Sequence, residues 1–160
     1  MPTLLSPNFT LEELTFSQTA ARQGIINTPD AQQIEALREL CTKVLQPLRD
    51  ALGLPITVSS GFRCPELNRA VQGAADSQHL LGQAADLQCF SLAPAEFFRR
   101  AVAMSLPFDQ LIYEGSPHTV WVHISYSPAA RGEILRATFP PAGGVAYNGL
   151  TRDQAATLVA

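Results

Sequence analysis

No run of apolar residues in this chain approaches the ~20 that an α-helix needs to cross a bilayer. The N-terminus, Met1-Pro2-Thr3-Leu4-Leu5-Ser6-Pro7, lacks the basic start and apolar centre of a secretory signal. These absences predict cytoplasmic synthesis without a signal peptide. Positive charge is scarce: 11 Lys and Arg stand against 14 Asp and Glu, a formal net charge of −3. Such a balance leaves no basic footprint for nucleic acid. Cysteine is scarce too. Cys41, Cys64 and Cys89 are odd in number, widely spaced and never in a Cys-x-x-Cys pair, which excludes a cysteine-type zinc motif and a disulfide framework. No internal repeat appears.

What is present describes a folded protein. The chain has 160 residues, 46% apolar and 16% charged, enough for one domain with a sizeable core. A monomer is expected. A single domain is expected over 1–139. Pro140-Pro141-Ala142-Gly143-Gly144 reads as a break, and 140–160 as a C-terminal tail or short appended segment with one turn of helix.

Thr10 with Glu13 three residues on forms a capping box, predicting a short helix over 11–16, with Phe9 and Leu14 as a hydrophobic staple. Asn27-Thr28-Pro29 is a break, after which Thr28 or Asp30 caps the main helix. Ile34, Leu37, Cys41, Val44, Leu45 and Leu48 recur at three- and four-residue steps, predicting an amphipathic helix over 30–52. Pro47 should kink or end it, and Gly53 cap its C-terminus. Ile56 to Ser60 is a β-branched strand, and Pro65 opens a helix reaching Val71. Further strands are expected over 83–89, 108–114, 119–126 and within 131–139, with a turn at Gly115-Ser116-Pro117 and a second long helix over 92–104. Three or four strands with helices before and between them predict an α+β domain.

The most informative stretch is Ser77-Gln78-His79-Leu80-Leu81-Gly82-Gln83-Ala84-Ala85-Asp86-Leu87. Asp86 interrupts an apolar run where a strand should be buried. A buried carboxylate costs several kcal/mol unless it is paired or holds a metal. His79 lies upstream, and Gly82 lets the chain turn back between them. Nitrogen and oxygen donors on either side of a turn are half of a zinc site.

Ser77, His79, Gly82, Ala84 and Asp86 resemble the Ser-x-His-x-x-Gly-x-Ala-x-Asp signature of the zinc D-alanyl-D-alanine carboxypeptidase family. That family includes phage endolysins and cell-wall endopeptidases, and its fold is shared by the Hedgehog signalling domain. The resemblance implies a small antiparallel sheet carrying a Zn2+ site packed against helices. It implies His79 and Asp86 as zinc ligands, with His123 in Val120-Trp121-Val122-His123 as the third. It also implies that Arg63, in Ser60-Gly61-Phe62-Arg63, holds a substrate carboxylate. A guanidinium can do so with two parallel bonds.

Three ligands leave zinc's fourth position for water, the mark of a catalytic site. Hydrolysis then needs a group to move protons. His118, five residues before His123, and Glu114, at the end of the preceding strand, are both candidates; Asp109 is a weaker third. Some family members carry Glu three residues before the final His, where this chain has Val120. Ser77 and Trp121 are candidate substrate contacts, and Tyr113 and Tyr126 candidate oxyanion donors. The expected activity is hydrolysis of peptide bonds in bacterial peptidoglycan stems or cross-links, by a carboxypeptidase, an endopeptidase or a phage lysin released by a holin or carried on a particle. The alternatives are a non-catalytic zinc-bearing binding module and a phage structural component.

Overall fold

The computed structural model describes residues 1–115 and 118–160; the turn expected at Ser116-Pro117 lies outside the described residues. The chain opens with a small antiparallel pair, β1 (Leu4–Ser6) and β2 (Phe9–Thr10). The predicted capping box then starts α1 (Leu11–Thr15): the Thr10 hydroxyl accepts from Glu13 N, and the Glu13 carboxylate accepts from Thr10 N. Phe9 and Leu14, the expected staple, are both buried. A further short helix, α2 (Gln18–Gln23), follows.

Asp30 caps the main helical run, as its position before the apolar stripe suggests. That run is α3 (Ala31–Leu40), a π-helical turn (Cys41–Leu45) and α4 (Gln46–Leu52). Proline lacks the N–H for the helical ladder, and its ring crowds the carbonyl four residues back. The widened turn just before Pro47 accommodates both demands: Gln46 N donates five residues back to Cys41 O. The helix therefore continues past Pro47 to Gly53, the left-handed C-cap at φ 65°. Leu37, Cys41, Val44, Leu45 and Leu48 are all fully buried. Each such aliphatic side chain contributes about 1.5–3 kcal/mol when buried. The buried Gln46 amide pins the N-terminal hairpin to this helix. It accepts from Ser6 Oγ (3.0 Å) and Asn8 N (2.9 Å), and donates to Asn8 Oδ1 and Asp50 Oδ1 (both 2.8 Å).

The remaining elements are β3 (Thr57–Ser60), α5 (Pro65–Ala70), a 3₁₀ turn (Gln78–Leu81), β4 (Ala84–Gln88), α6 (Pro94–Ala103), β5 (Gln110–Gly115), β6 (Val120–Ser125), β7 (Glu133–Thr138), β8 (Ala146–Gly149) and α7 (Arg152–Ala156). Among the described residues the main sheet has six strands, ordered β3-β4-β6-β5-β7-β8. The α+β class is as expected, with more strands than the sequence suggested. Neighbouring strands run antiparallel except β5 and β7, which are parallel.

Alternation along the strands divides the sheet into two faces. Ala85, Leu87, Leu111, Tyr113, Val122 and Ile124 point into the core. Phe98 of α6 meets Tyr113 edge-on, with ring centroids 5.5 Å apart. The other face carries Asp86, Ile112, Glu114, Trp121 and His123 and forms the wall of a cleft.

The residues expected to form a tail behave differently. β8 pairs with β7, and Ala155 and Leu158 lie in the core. Arg152 donates to Val102 O (2.7 Å) and Arg99 to Leu158 O, tying this segment to α6. The double-proline break is a surface excursion between two paired strands, so its composition reported a turn and not the end of the packed structure. No described helix is long and apolar enough to cross a membrane.

Candidate active site

Three elements bring the predicted ligands together. Asp86 on β4 lies directly opposite His123 on β6, so both side chains leave the same face at the same level. His79 comes from the 3₁₀ turn, which Ser77 begins by accepting from His79 N (3.3 Å) and Gly82 ends at φ 72°. Gly82 is also required sterically, because a Cβ there would sit 2.6 Å from the Gln33 carbonyl oxygen. All three ligand residues are buried.

His79 Nε2 lies 3.3 Å and His123 Nδ1 3.0 Å from the same oxygen, Asp86 Oδ1. One ligand atom from each residue fits within a mutual distance of 4.8 Å. Tetrahedral zinc with donors about 2.1 Å away holds them about 3.4 Å apart, so the spacing fits. The tautomer fits as well. His79 Nδ1 is 2.7 Å from Gly61 O, so it carries the proton and leaves the Nε2 lone pair facing Asp86. Two imidazoles and one carboxylate are a donor set that suits zinc.

The electrostatics agree with a cation site. Burial pushes the His79 imidazole down, toward its neutral, ligating form, although Asp86 opposes this. Burial alone would raise Asp86. Its two imidazole neighbours, His79 first and then His123, outweigh burial and hold the carboxyl well below the usual range and ionised.

Arg63 stands beside this triad. Its Nε donates to Ser60 Oγ (3.1 Å), Nη1 to Asn68 Oδ1 (3.0 Å) and Nη2 to Asp86 Oδ2 (3.5 Å). Asn68 is itself held by donating to Ala74 O (2.9 Å). Close approach explains Gly73, where a Cβ would fall 2.0 Å from Asn68 Oδ1. Asn27, in the expected break, clamps the same turn: it donates to Phe62 O (2.9 Å) and Thr15 O (2.8 Å) and accepts from Cys64 N (2.7 Å).

The triad lines a cleft of about 1160 Å³, shared with Arg63, Glu114, Trp121 and Ser77. Glu114 is half-buried. Burial and the charge of Asp86 raise its pKa, while His123, Arg63 and Tyr147 hold it back. Trp121 lies directly across from Glu114 on the adjacent strand. Its buried Nε1 has no hydrogen-bond partner among the described residues. Ser77 reaches the cleft, but its hydroxyl is engaged in capping the turn.

Other candidates fall elsewhere. His118 is exposed, and the described residues that line the cleft do not include it. Asp109 is buried outside the cleft lining, with its carboxylate committed to Arg131 (3.0 and 2.7 Å) and Gln78 (3.0 Å). Tyr113 points to the core face and Tyr126 packs partly buried against the core. The tyrosine that does reach the cleft is Tyr147 on β8, in the segment read as a tail. Its only signal in the sequence was a short alternation after Gly143-Gly144.

Comparison with known proteins agrees with this geometry. A segment of 44 residues is 52% identical to the zinc D-Ala-D-Ala carboxypeptidase of Streptomyces albus G, covering 27% of this chain and 17% of that relative. The match thus spans less than a fifth of the relative's length. The sequence model for Peptidase M15 matches residues 7–125, from the N-terminal hairpin through β6 and including all three ligand positions. With most of its length matched and the His-Asp-His triad assembled, the chain belongs to the Peptidase M15 family.

Proposed function

We propose that the chain is a zinc-dependent peptidase hydrolysing peptide bonds in bacterial peptidoglycan stems or cross-links, with His79, Asp86 and His123 holding the metal. The observation that carries this reading is the convergence of three ligand atoms in a cleft also lined by Arg63 and Glu114. The identity to a D-Ala-D-Ala carboxypeptidase supports a D-Ala-D-Ala stem as the substrate.

Zinc, when bound, supplies a Lewis acid for the scissile carbonyl and lowers the pKa of a water to about 7. The protein supplies the rest. Ionised Asp86, neutral His79 and the ring of His123 would hold the cation. Arg63 has five N–H groups, three of them fixed by Ser60, Asn68 and Asp86. The other two receive a substrate carboxylate. Glu114 accepts the proton of the attacking water at its carboxylate and returns it to the leaving amine. A raised pKa brings that group closer to neutral operating pH, where proton transfer in both directions is most efficient. Glu114 is preferred to His118 because it lines the cleft and His118 is exposed.

The test is amine release from purified bacterial cell walls, with and without chelator, by wild type and Glu114→Gln. Release abolished by chelator and restored by zinc is expected. Glu114→Gln should keep the metal and lose about 10²–10⁴-fold in rate. Metal binding with no release of amines would leave a binding module in place of an enzyme. A loss of that size in His118→Ala, with Glu114→Gln active, would move the role to His118.

A further inference from the structure

The cleft wall beyond β5 is built by residues outside the family match. β7 and β8 follow residue 125, the last matched, and contribute Glu133, Leu135 and Tyr147 to the lining, with Val145 just before β8. Their register determines what each side chain meets. Trp121 on β6 stands opposite Glu114 on β5. In the parallel β5–β7 pair, Ile112 stands opposite Leu135 and Tyr113 opposite Arg136. The next step of that register sets Glu114 beside Ala137. Ala137 in turn stands opposite Tyr147 on β8.

Trp121, Glu114, Ala137 and Tyr147 therefore form one cross-strand row on the cleft face. Side chains on next-nearest strands are about 10 Å apart at their origins, twice the spacing of neighbours. They meet only if the residue between them is small. Ala137 is that residue, and over it the Tyr147 phenol and the Glu114 carboxyl face one another across the cleft wall, close enough for each to shift the other's titration. A phenol here has one proton to donate, and an ionised carboxylate can only accept. Donated to Glu114, that proton would fix the rotation of the carboxylate.

We propose that Tyr147, reaching over Ala137, is a positioning residue that orients the Glu114 carboxylate for proton transfer. This rests on Glu114 having the role assigned above. Burial and the charge of Glu114 also push the Tyr147 phenol up, consistent with a phenol that keeps its proton while facing the carboxylate. The segment after residue 125 would then complete the reaction machinery as well as widen the sheet.

The experiment uses the full zinc-loaded chain and soluble cell-wall fragments, comparing Tyr147→Phe, Ala137→Leu and Glu114→Gln. Tyr147→Phe keeps the ring and its packing, so metal content and melting temperature should hold. Its kcat should fall about tenfold with KM within about twofold, the pattern of an interaction needed in the transition state and not in binding. Ala137→Leu, which wedges the two side chains apart, should move kcat the same way. A metal-independent readout accompanies these. In the chelated protein, the ultraviolet tyrosinate titration that disappears in Tyr147→Phe should shift to lower pH in Glu114→Gln. Wild-type kcat in Tyr147→Phe beside an inactive Glu114→Gln would overturn this inference alone. An active Glu114→Gln would remove the base assignment and this inference with it.

Discussion

Arg63 shows how much a single residue's role depends on the neighbours that fix it. Three of its N–H groups are held by Ser60, Asn68 and Asp86, so the fork is pre-aimed and little side-chain entropy remains to be lost on binding. An ammonium cannot reproduce that planar set. Arg63→Lys should raise KM for a carboxylate-bearing substrate by about tenfold or more, with smaller change in kcat. An unchanged KM would show that the two remaining N–H groups do not meet substrate. Residues of this kind were legible when their chemistry was written in local spacing. His79, Asp86 and Arg63 sit in short motifs, and His123 falls on a strand of evident alternation. Ser60, Asn68 and Tyr147 were not legible as partners, because nothing in a one-dimensional pattern says which hydroxyl or amide will fold against which charge. Spacing along the chain weighed His118 and Glu114 equally, because it does not show which side chain lines the cleft; Glu114 does.

At the scale of elements, the site depends on where β3 ends. Gly61 follows its last residue and does two things at once. Its carbonyl accepts from His79 Nδ1 (2.7 Å), and its missing side chain lets the chain pass Leu14, whose carbonyl oxygen would be 2.2 Å from a Cβ. The Leu14 atoms that a Cβ would meet are all backbone, so they cannot swing away. Gly61→Ala should push the β3 end off α1 and turn the His79 ring. Loss of such an orienting contact lowers metal affinity about 10–100-fold, measurable by competition with a chromophoric chelator. Wild-type affinity in a folded Gly61→Ala protein would mean that the ring is oriented by something else. Much of the element order was readable beforehand, since capping boxes at Thr10 and the stripe over 34–48 act locally. The π-helical turn before Pro47 was not, because proline states only that the regular ladder must fail. The chain's response depends on the core that holds Leu45 and Leu48 in place. The strand β8 was hidden by the two prolines and two glycines that precede it, a composition shared by linkers and by long turns.

Across the whole molecule, Asp109 joins the parts that the site brings together. Its carboxylate accepts from Gln78, the residue before candidate ligand His79, and from Arg131, which precedes β7 (3.0 Å to Gln78; 3.0 and 2.7 Å to Arg131). Its backbone N donates to Ser125 O and its carbonyl accepts from Glu133 N. Through its carboxylate and its backbone, this one buried residue couples the turn that carries His79, the central strand β6 and the C-terminal strands. Hydrogen bonds from Arg131 hold its pKa well below the usual carboxylate value; burial opposes them but does not prevail. A carboxyl depressed in the folded state contributes its full stabilisation above the unfolded pKa of about 3.9. That contribution is lost as pH falls below this value and through the lower folded one, because the unfolded chain takes up the proton first. Arg131 is half-exposed, so solvent screens part of the pair and the charge term must be discounted. Asp109→Asn in the metal-free chain should therefore lose about 2 kcal/mol near neutral pH. For a chain of this size that corresponds to about 4–8 °C in melting temperature. Thermal melts of both proteins followed by circular dichroism should show the gap narrowing below about pH 4, since the wild type alone forfeits this charge. Using the metal-free chain keeps zinc release out of the comparison, and the common titration of Asp86 cancels between the two. A gap independent of pH would mean that Asp109 acts here through shape and neutral hydrogen bonds, with its charge contributing nothing to the coupling.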